Sequence, residues 1–217
     1  MHNNINNLIS IEDTLKSENV DLKKVNIIAV SKTFPMNQIN PLINQGQIHF
    51  GENKVQEALE KWTDIKQNFK HIQLHMMGKL QSNKVKFVIP LFDYIHSLDN
   101  LKLAEKISIE QKKINKKLKI FIQINIGNEV QKNGISEDKL ESFYKKCVQD
   151  FNLDIIGLMC LPPKDDDTKN YFVKMKNLAK KIEVNELSMG MSNDYLEAAK
   201  SGSTFLRIGS KIFGERS

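Results

Sequence analysis

Asn26-Ile27-Ile28-Ala29-Val30-Ser31-Lys32-Thr33-Phe34-Pro35 is the stretch on which the fold turns. Four consecutive apolar residues, Ile27 to Val30, read as a short strand buried on both faces, as in a parallel sheet covered by helices. A doubly wound dinucleotide-binding sheet would follow such a strand with a glycine-rich phosphate turn. Here the turn is Ser31-Lys32-Thr33-Phe34-Pro35, without a glycine. That disfavours the open sheet and puts a lysine where the strand emerges.

The same alternation recurs outward from this point. Further strands are expected at residues 48–51, 72–76, 94–97, 118–126, 155–161, 186–189 and 205–208, with the first at 26–31. Amphipathic helices are expected at 52–69, 100–115, 137–150, 171–183 and 194–201. Strands alternating with helices imply parallel βαβ units. About eight such units in 217 residues favour closure into a single (β/α)8 TIM-type barrel. Ile5, Leu8, Ile9 and Leu15 predict an additional N-terminal helix over 5–16. No linker, repeat or low-complexity block divides the chain, so residues 1–217 are read as one α/β barrel domain. The Pro162-Pro163-Lys164-Asp165-Asp166-Asp167 patch is expected to be a long loop after the sixth strand.

A mean hydropathy of −0.41 and the lack of any apolar run near the ~20 residues of a bilayer span argue against a membrane protein. The N-terminal residues show neither a basic leader nor an apolar signal core, which predicts a cytoplasmic protein. Cys147 and Cys160 are too few for a disulfide framework or a metal cage, so no metal is expected. The net charge of +6 raises the question of nucleic acid. The lysine-rich stretches alternate with apolar residues as solvated helix faces do, and no nucleic-acid motif accompanies them.

In such a barrel the functional site forms at the C-terminal ends of the strands. The residues there are polar: Lys32, then Glu52-Asn53, His75, His96-Ser97, Asn125, Met159-Cys160, Ser192-Asn193 and Arg207 to Ser210. A lysine leaving an apolar strand is partly desolvated, which lowers its pKa and favours imine formation with an aldehyde; the alternative is a lysine that merely snorkels at a strand end. The loops after strands seven and eight often form a phosphate site in these barrels. Ser192-Asn193-Asp194 resembles a helix N-cap, Gly209 permits close backbone approach, and Ser210 adds a hydroxyl. His75, His96, Trp62 and Glu52 read as packing or hydrogen-bonding residues. Cys160 reads as a small apolar residue, with a reactive thiol as the alternative.

Seven ordered segments carry a resemblance. They are Ala29-Val30-Ser31-Lys32-Thr33, Phe50-Gly51-Glu52-Asn53-Lys54-Val55-Gln56-Glu57, His75-Met76-Met77-Gly78-Lys79-Leu80-Gln81-Ser82-Asn83-Lys84, His96-Ser97-Leu98-Asp99, Gly157-Leu158-Met159, Leu187-Ser188-Met189-Gly190-Met191-Ser192, and Gly202-Ser203-Thr204 through Arg207-Ile208-Gly209 to Ile212-Phe213-Gly214. The chain thereby resembles the pyridoxal phosphate homeostasis proteins, small barrels that bind pyridoxal 5′-phosphate (PLP) and are related in fold to the N-terminal domain of alanine racemase. The resemblance implies that Lys32 carries PLP as a covalent imine and that Ser192, Gly209 and Ser210 hold the phosphate. It also implies that Arg207 lies near the cofactor ring and that Asn53 and Asn83 line its surroundings. Leu74 and Met76 depart from the family's aromatics and imply a looser wall beside strand three.

A PLP enzyme that moves protons on an amino acid needs a second acid–base group opposite the imine lysine. The racemase receives it from another domain, and none is expected here beside the single barrel. The expected function is therefore a non-enzymatic, monomeric carrier that buffers PLP and passes it to apo PLP-dependent enzymes. The alternatives are a weak racemase or transaminase and, from another class, a basic nucleic-acid-binding protein.

Overall fold

The apolar run after Asn26 forms β1 (Asn26–Val30), flanked in parallel by β2 (His49–Glu52) on one side and β8 (Phe205–Ile208) on the other. A computed structural model describes residues 3–163 and 166–215 of the chain. Between those flanks, β3 (Gln73–Met76), β4 (Tyr94–Leu98), β5 (Lys119–Ile124), β6 (Asp154–Cys160) and β7 (Glu186–Ser188) complete a closed barrel in sequence order. Every pairing is parallel. The expected α/β TIM-type barrel is therefore the observed one.

Period-two alternation along the strands divides the buried residues into two cores. On β1, Ile27 and Ala29 face the surrounding helices, where they join a large core with Phe50, Trp62, Leu74 and Ile95. Ile28 points the other way, into a small core inside the barrel with Tyr94, Phe121, Met159 and Phe205. The outer shell consists of α2 (Met36–Asn44), α3 (Val55–Asn68), α4 (Val85–Leu91), α5 (Leu101–Ile114), α6 (Leu140–Gln149), α7 (Thr168–Lys181), α8 (Tyr195–Lys200) and α9 (Ser210–Phe213). Local chemistry sets the boundaries. Asn100 caps α5 by accepting the Leu103 amide at 2.9 Å, and Asn115 ends it in the left-handed region at φ 52°.

The N-terminal helix is α1 (Asn3–Ser17). It buries Ile5, Leu8, Ile11 and Leu15, whereas the expected core residue Ile9 is exposed and Ile11 takes its place. The side chains of Asn4 and Asn7 donate to the carbonyls of Gln38 in α2 and Ile212 in α9, both at 2.9 Å. α1 thus fastens the first and last helices of the barrel together. Helices α2 and α4 were not among the expected ones. They carry Pro41 and Pro90, and proline inside a short apolar segment reads as a break. The expected loop at 162–167 does follow β6, although Lys164 and Asp165 lie outside the described residues.

Candidate cofactor site at the barrel mouth

The turn that follows β1 is built for Lys32 and held from behind. Ser31 extends the pairing through its amide to the Gly51 carbonyl at 3.0 Å, and Phe34 closes the turn on the Ser31 carbonyl at 3.1 Å. Between them Thr33 sits at φ 70°. A β-branched residue in that region is an outlier that the surroundings must impose. The imposing groups come from α3. The Lys61 ammonium donates to the carbonyls of Ser31 and Phe34, at 2.8 and 3.3 Å, and to Glu57 at 2.9 Å. Glu57 in turn accepts the Thr33 amide at 2.5 Å.

Deeper in the same clamp lies Glu52, fully buried at the end of β2. Its Oε1 accepts the Ser31 hydroxyl at 2.8 Å and the Trp62 indole at 3.0 Å, and lies 2.6 Å from Lys61 Nζ. Burial pushes the Glu52 carboxyl above its ordinary range, against the opposing pull of the Lys61 charge. The residues on both sides of half-buried Lys32 are therefore pinned by one ammonium and two carboxylates.

Across the β1–β8 seam, Arg207 pairs in register with Ile28, whose side chain faces the barrel interior. It is 5% exposed. Its Nη1 donates to Ser188 Oγ and its Nη2 to the Cys160 carbonyl, both at 2.8 Å. Among the described residues no carboxylate forms an ion pair with it. Burial lowers its pKa, as expected of a desolvated cation. A chain of rings continues from Ser188. His96 Nδ1 is 2.8 Å from Ser188 Oγ, His75 Nδ1 is 2.9 Å from His96 Nε2, and His49 Nδ1 is 2.9 Å from His75 Nε2. Burial holds His75 and His96 well below the usual imidazole range and lowers His49 to about 4.

The corner between the β7 and β8 loops differs from its expected form. The N-cap of α8 is Asp194, without a side-chain cap bond; its carboxylate instead accepts the Met191 amide at 2.6 Å. Ser192 is not a cap. Its hydroxyl accepts the Lys211 amide at 3.3 Å, which joins this loop to the first turn of α9. Gly209 precedes that turn with an ordinary φ of −115°, and a Cβ there would lie 3.4 Å from the Val30 carbonyl. That is ordinary van der Waals contact, so neither backbone freedom nor the approach to β1 demands a glycine here, against the expectation. Gly190 is the residue that needs a positive φ, at 90°, and any Cβ on it would strike Ala198. Ser210 is exposed beside this corner.

Other sequence expectations resolve individually. Asn53 is half-buried, and its backbone fills the space where a Cβ on Gly78 would stand. Asn83 is exposed on the 3₁₀ turn Ser82–Lys84 after β3. The Cys160 thiol is fully buried and pushed up to about 12, so it is the inert small residue and not the reactive one. Leu74 and Met76 point into the outer core; the inner side of β3 carries His75 and, just beyond it, Met77. Their departure from aromatics therefore touches helix packing and not the site wall. Lys132 donates to the Pro162 carbonyl at 3.0 Å and pairs with Glu129, tying the β5 loop to the β6 loop. Lys61, Glu57, Ser188 and His49 were not singled out beforehand. Glu57 and Lys61 stand four residues apart on a helix, the usual signature of a solvated surface pair.

Comparison with known proteins places this geometry in a family. The family described as "Alanine racemase, N-terminal domain" matches residues 7–217. A pyridoxal phosphate homeostasis protein of Haemophilus influenzae is 38% identical over 217 residues, spanning 95% of this chain and 91% of that protein. PipY of Synechococcus elongatus PCC7942, solved without PLP, superposes with a TM-score of 0.88 at 31% identity, over 96% of this chain and 99% of that one. A structure of PipY with PLP bound gives a TM-score of 0.85 at the same identity and coverage. Alanine racemase of Clostridium difficile gives a TM-score of 0.77 at 16% identity, and the likeness, which is one of fold, takes in 99% of this chain but 57% of the racemase. The chain belongs to the pyridoxal phosphate homeostasis protein family, built on the barrel of the alanine racemase N-terminal domain.

Proposed function

We propose that this chain binds PLP at the C-terminal mouth of its barrel through an imine linkage to Lys32, buffers the reactive aldehyde inside the cell, and passes the cofactor to apo PLP-dependent enzymes. The observation that carries this reading is the meeting of two features on adjacent strands: the clamped Lys32 turn after β1, and the corner of Ser192, Gly209, Ser210 and the Lys211 amide after β7 and β8. The donor set fits the group. It offers an amine, two hydroxyls, backbone amides and a guanidinium that has no carboxylate partner among the described residues, which suits an anionic phosphate ester. The PLP-bound PipY structure supports the same reading from a relative 31% identical to this chain. When bound, the cofactor supplies an electrophilic aldehyde carbon and a ring able to draw electrons from attached groups.

In this reading Lys32 is the covalent anchor, Ser192, Gly209 and Ser210 hold the phosphate, and Arg207 faces the ring, with Asn53 and Asn83 as outer residues. The whole chain, 1–217, acts as one cofactor-binding domain, as a monomer in the cytoplasm. No described helix is long and apolar enough to cross a membrane. A protein that releases its cofactor has no need of proton chemistry, and the interior is poor in groups for it. His75 and His96 are held neutral by burial, and the Cys160 thiol titrates at about 12. The expected result is that the PLP-loaded protein shows only trace racemase or transaminase turnover on common amino acids. A kcat in the ordinary enzyme range of ~1–10³ s⁻¹ would overturn the carrier reading.

Replacing Ser192 and Ser210 together by alanine is expected to weaken PLP binding by about 3 kcal/mol, the lower end for two hydrogen bonds to a charged group, because backbone amides remain. Fluorescence titration checks this. Unchanged affinity would move the phosphate to another part of the mouth.

A further inference from the structure

Arg207 is buried in the barrel and can only donate hydrogen bonds. Ser188 Oγ receives one of them and, among the described residues, has one other hydrogen-bond partner, His96 Nδ1 at 2.8 Å. The serine hydrogen therefore has one available acceptor, that imidazole nitrogen. If the ring donated instead, the serine hydrogen would be left without an acceptor at a residue that is fully buried. With Nδ1 accepting, His96 is protonated on Nε2 and donates to His75 Nδ1, which is 2.9 Å away. His75 is then protonated on Nε2 and donates to His49 Nδ1, again at 2.9 Å. One donor-only cation thus sets the sense of every bond down to the first residue of β2.

We propose that Ser188 and His96 are positioning residues for the Arg207 guanidinium, and that His75 and His49 carry their hydrogen-bond polarity in one direction to the base of the barrel, coupling mouth and base. The chain stays neutral. A proton on His96 would place two cations on a single serine oxygen, and burial already opposes charge on His75 and His96. The rings are also packed face on: His75 stacks on Tyr94 with centroids 4.1 Å apart, and His96 on Phe121 at 4.3 Å. Stacking fixes their planes, so the bonds cannot reorganise by ring rotation without disturbing the inner core. At the base, burial and then the Lys119 charge lower the His49 pKa while the Asp93 carboxylate opposes them, and the net lowering disfavours a proton at that end.

The guanidinium's two fixed donors leave three N–H groups. On the reading of the mouth as a PLP site, those groups are available to the cofactor, and its arrival would be felt along the chain.

The test uses imidazole nitrogen resonances of the full-length protein, first without PLP. The expected spectrum shows His49, His75 and His96 all neutral and all protonated on Nε2 at neutral pH, in wild type. An Nδ1-protonated or doubly protonated ring at any of the three overturns the proposal, whatever the protein does with PLP. Added PLP is then expected to shift the signals of all three rings in wild type. In Ser188→Ala those shifts should vanish, His96 should lose its single tautomer, and PLP affinity should fall about tenfold to a hundredfold. Ser188→Thr, which keeps the hydroxyl, should restore the tautomer. Unaltered ring shifts and affinity in Ser188→Ala would sink the coupling. Failure of wild type to bind PLP would defeat the carrier reading and leave the tautomer result to stand by itself.

Discussion

Lys32→Ala is expected to abolish covalent retention of PLP: after borohydride reduction, mass spectrometry should find the cofactor's mass on wild-type protein and none on the variant. The effect is all-or-none because a reducible imine requires an amine, and alanine has none. The fold should survive. The turn is held through its backbone and neighbours, by Lys61 on the Ser31 and Phe34 carbonyls and by Glu57 on the Thr33 amide, and none of these contacts uses the Lys32 side chain. A change in unfolding free energy of about 1 kcal/mol or less is expected. Weak non-covalent PLP binding through Ser192, Gly209 and Ser210 would remain and does not count against the assignment. Full labelling of the variant would pass the anchor to another lysine of the mouth. Lys132 is the less suitable of the candidates, since its ammonium is already engaged by Glu129 and the Pro162 carbonyl. Lys84, half-buried on the 3₁₀ turn beside Asn83, would be the next to test.

What the sequence allowed to be read follows physical lines. The β1 run and its lysine were legible because four apolar residues in a row followed by Ser31-Lys32 can scarcely be anything but a buried strand and its exit. The roles of Lys32, Ser192, Gly209, Ser210 and Arg207 toward PLP rest on the resemblance, and only their position at or just beyond strand ends was legible. Their support was not. Glu57 and Lys61 have the spacing of a surface pair, and only the packing of α3 against the β1 turn gives them inward partners. Ser188 lies in a segment that carries the resemblance, but its role has no local signal: a serine in a strand acquires meaning only when Arg207 and His96 arrive from 19 residues ahead and 92 behind. The same limit explains Ile9, whose spacing suits a buried stripe that in fact runs through Ile11. Long-range partners decide such cases, and periodicity does not carry them. Ser192 was expected to cap α8, but its hydroxyl serves the Lys211 amide and the cap is Asp194, two residues on.

The clamp behind Lys32 leads to the second large effect. Lys61→Met should destabilise the protein by about 3–5 kcal/mol near neutral pH, the range for stripping one partner from a buried ion pair. The reason lies with Glu52, which is fully buried and would keep only the Ser31 hydroxyl and the Trp62 indole as donors. The effect should also depend on pH. Burial already raises the Glu52 pKa in the folded state, and Lys61 is the main influence holding it down. Without Lys61 the folded-state pKa climbs further above the unfolded one. The native protein then binds more protons than the unfolded chain over that interval, so stability falls as pH rises through it. Urea denaturation at pH 5 and pH 8 should therefore show a larger deficit at the higher pH. Adding Glu52→Gln removes the charge while keeping an acceptor for Ser31 and Trp62, and should restore much of the stability at pH 8. It should not restore Lys32. With the Ser31 and Phe34 carbonyls released, the left-handed Thr33 turn loses two of its anchors, and the double variant should form the reducible PLP linkage more slowly than wild type. A double variant that is both stable and labelled at the wild-type rate would reduce the clamp to ordinary core packing. A Lys61→Met protein whose deficit is the same at both pH values would mean that Glu52 is not the charge Lys61 answers.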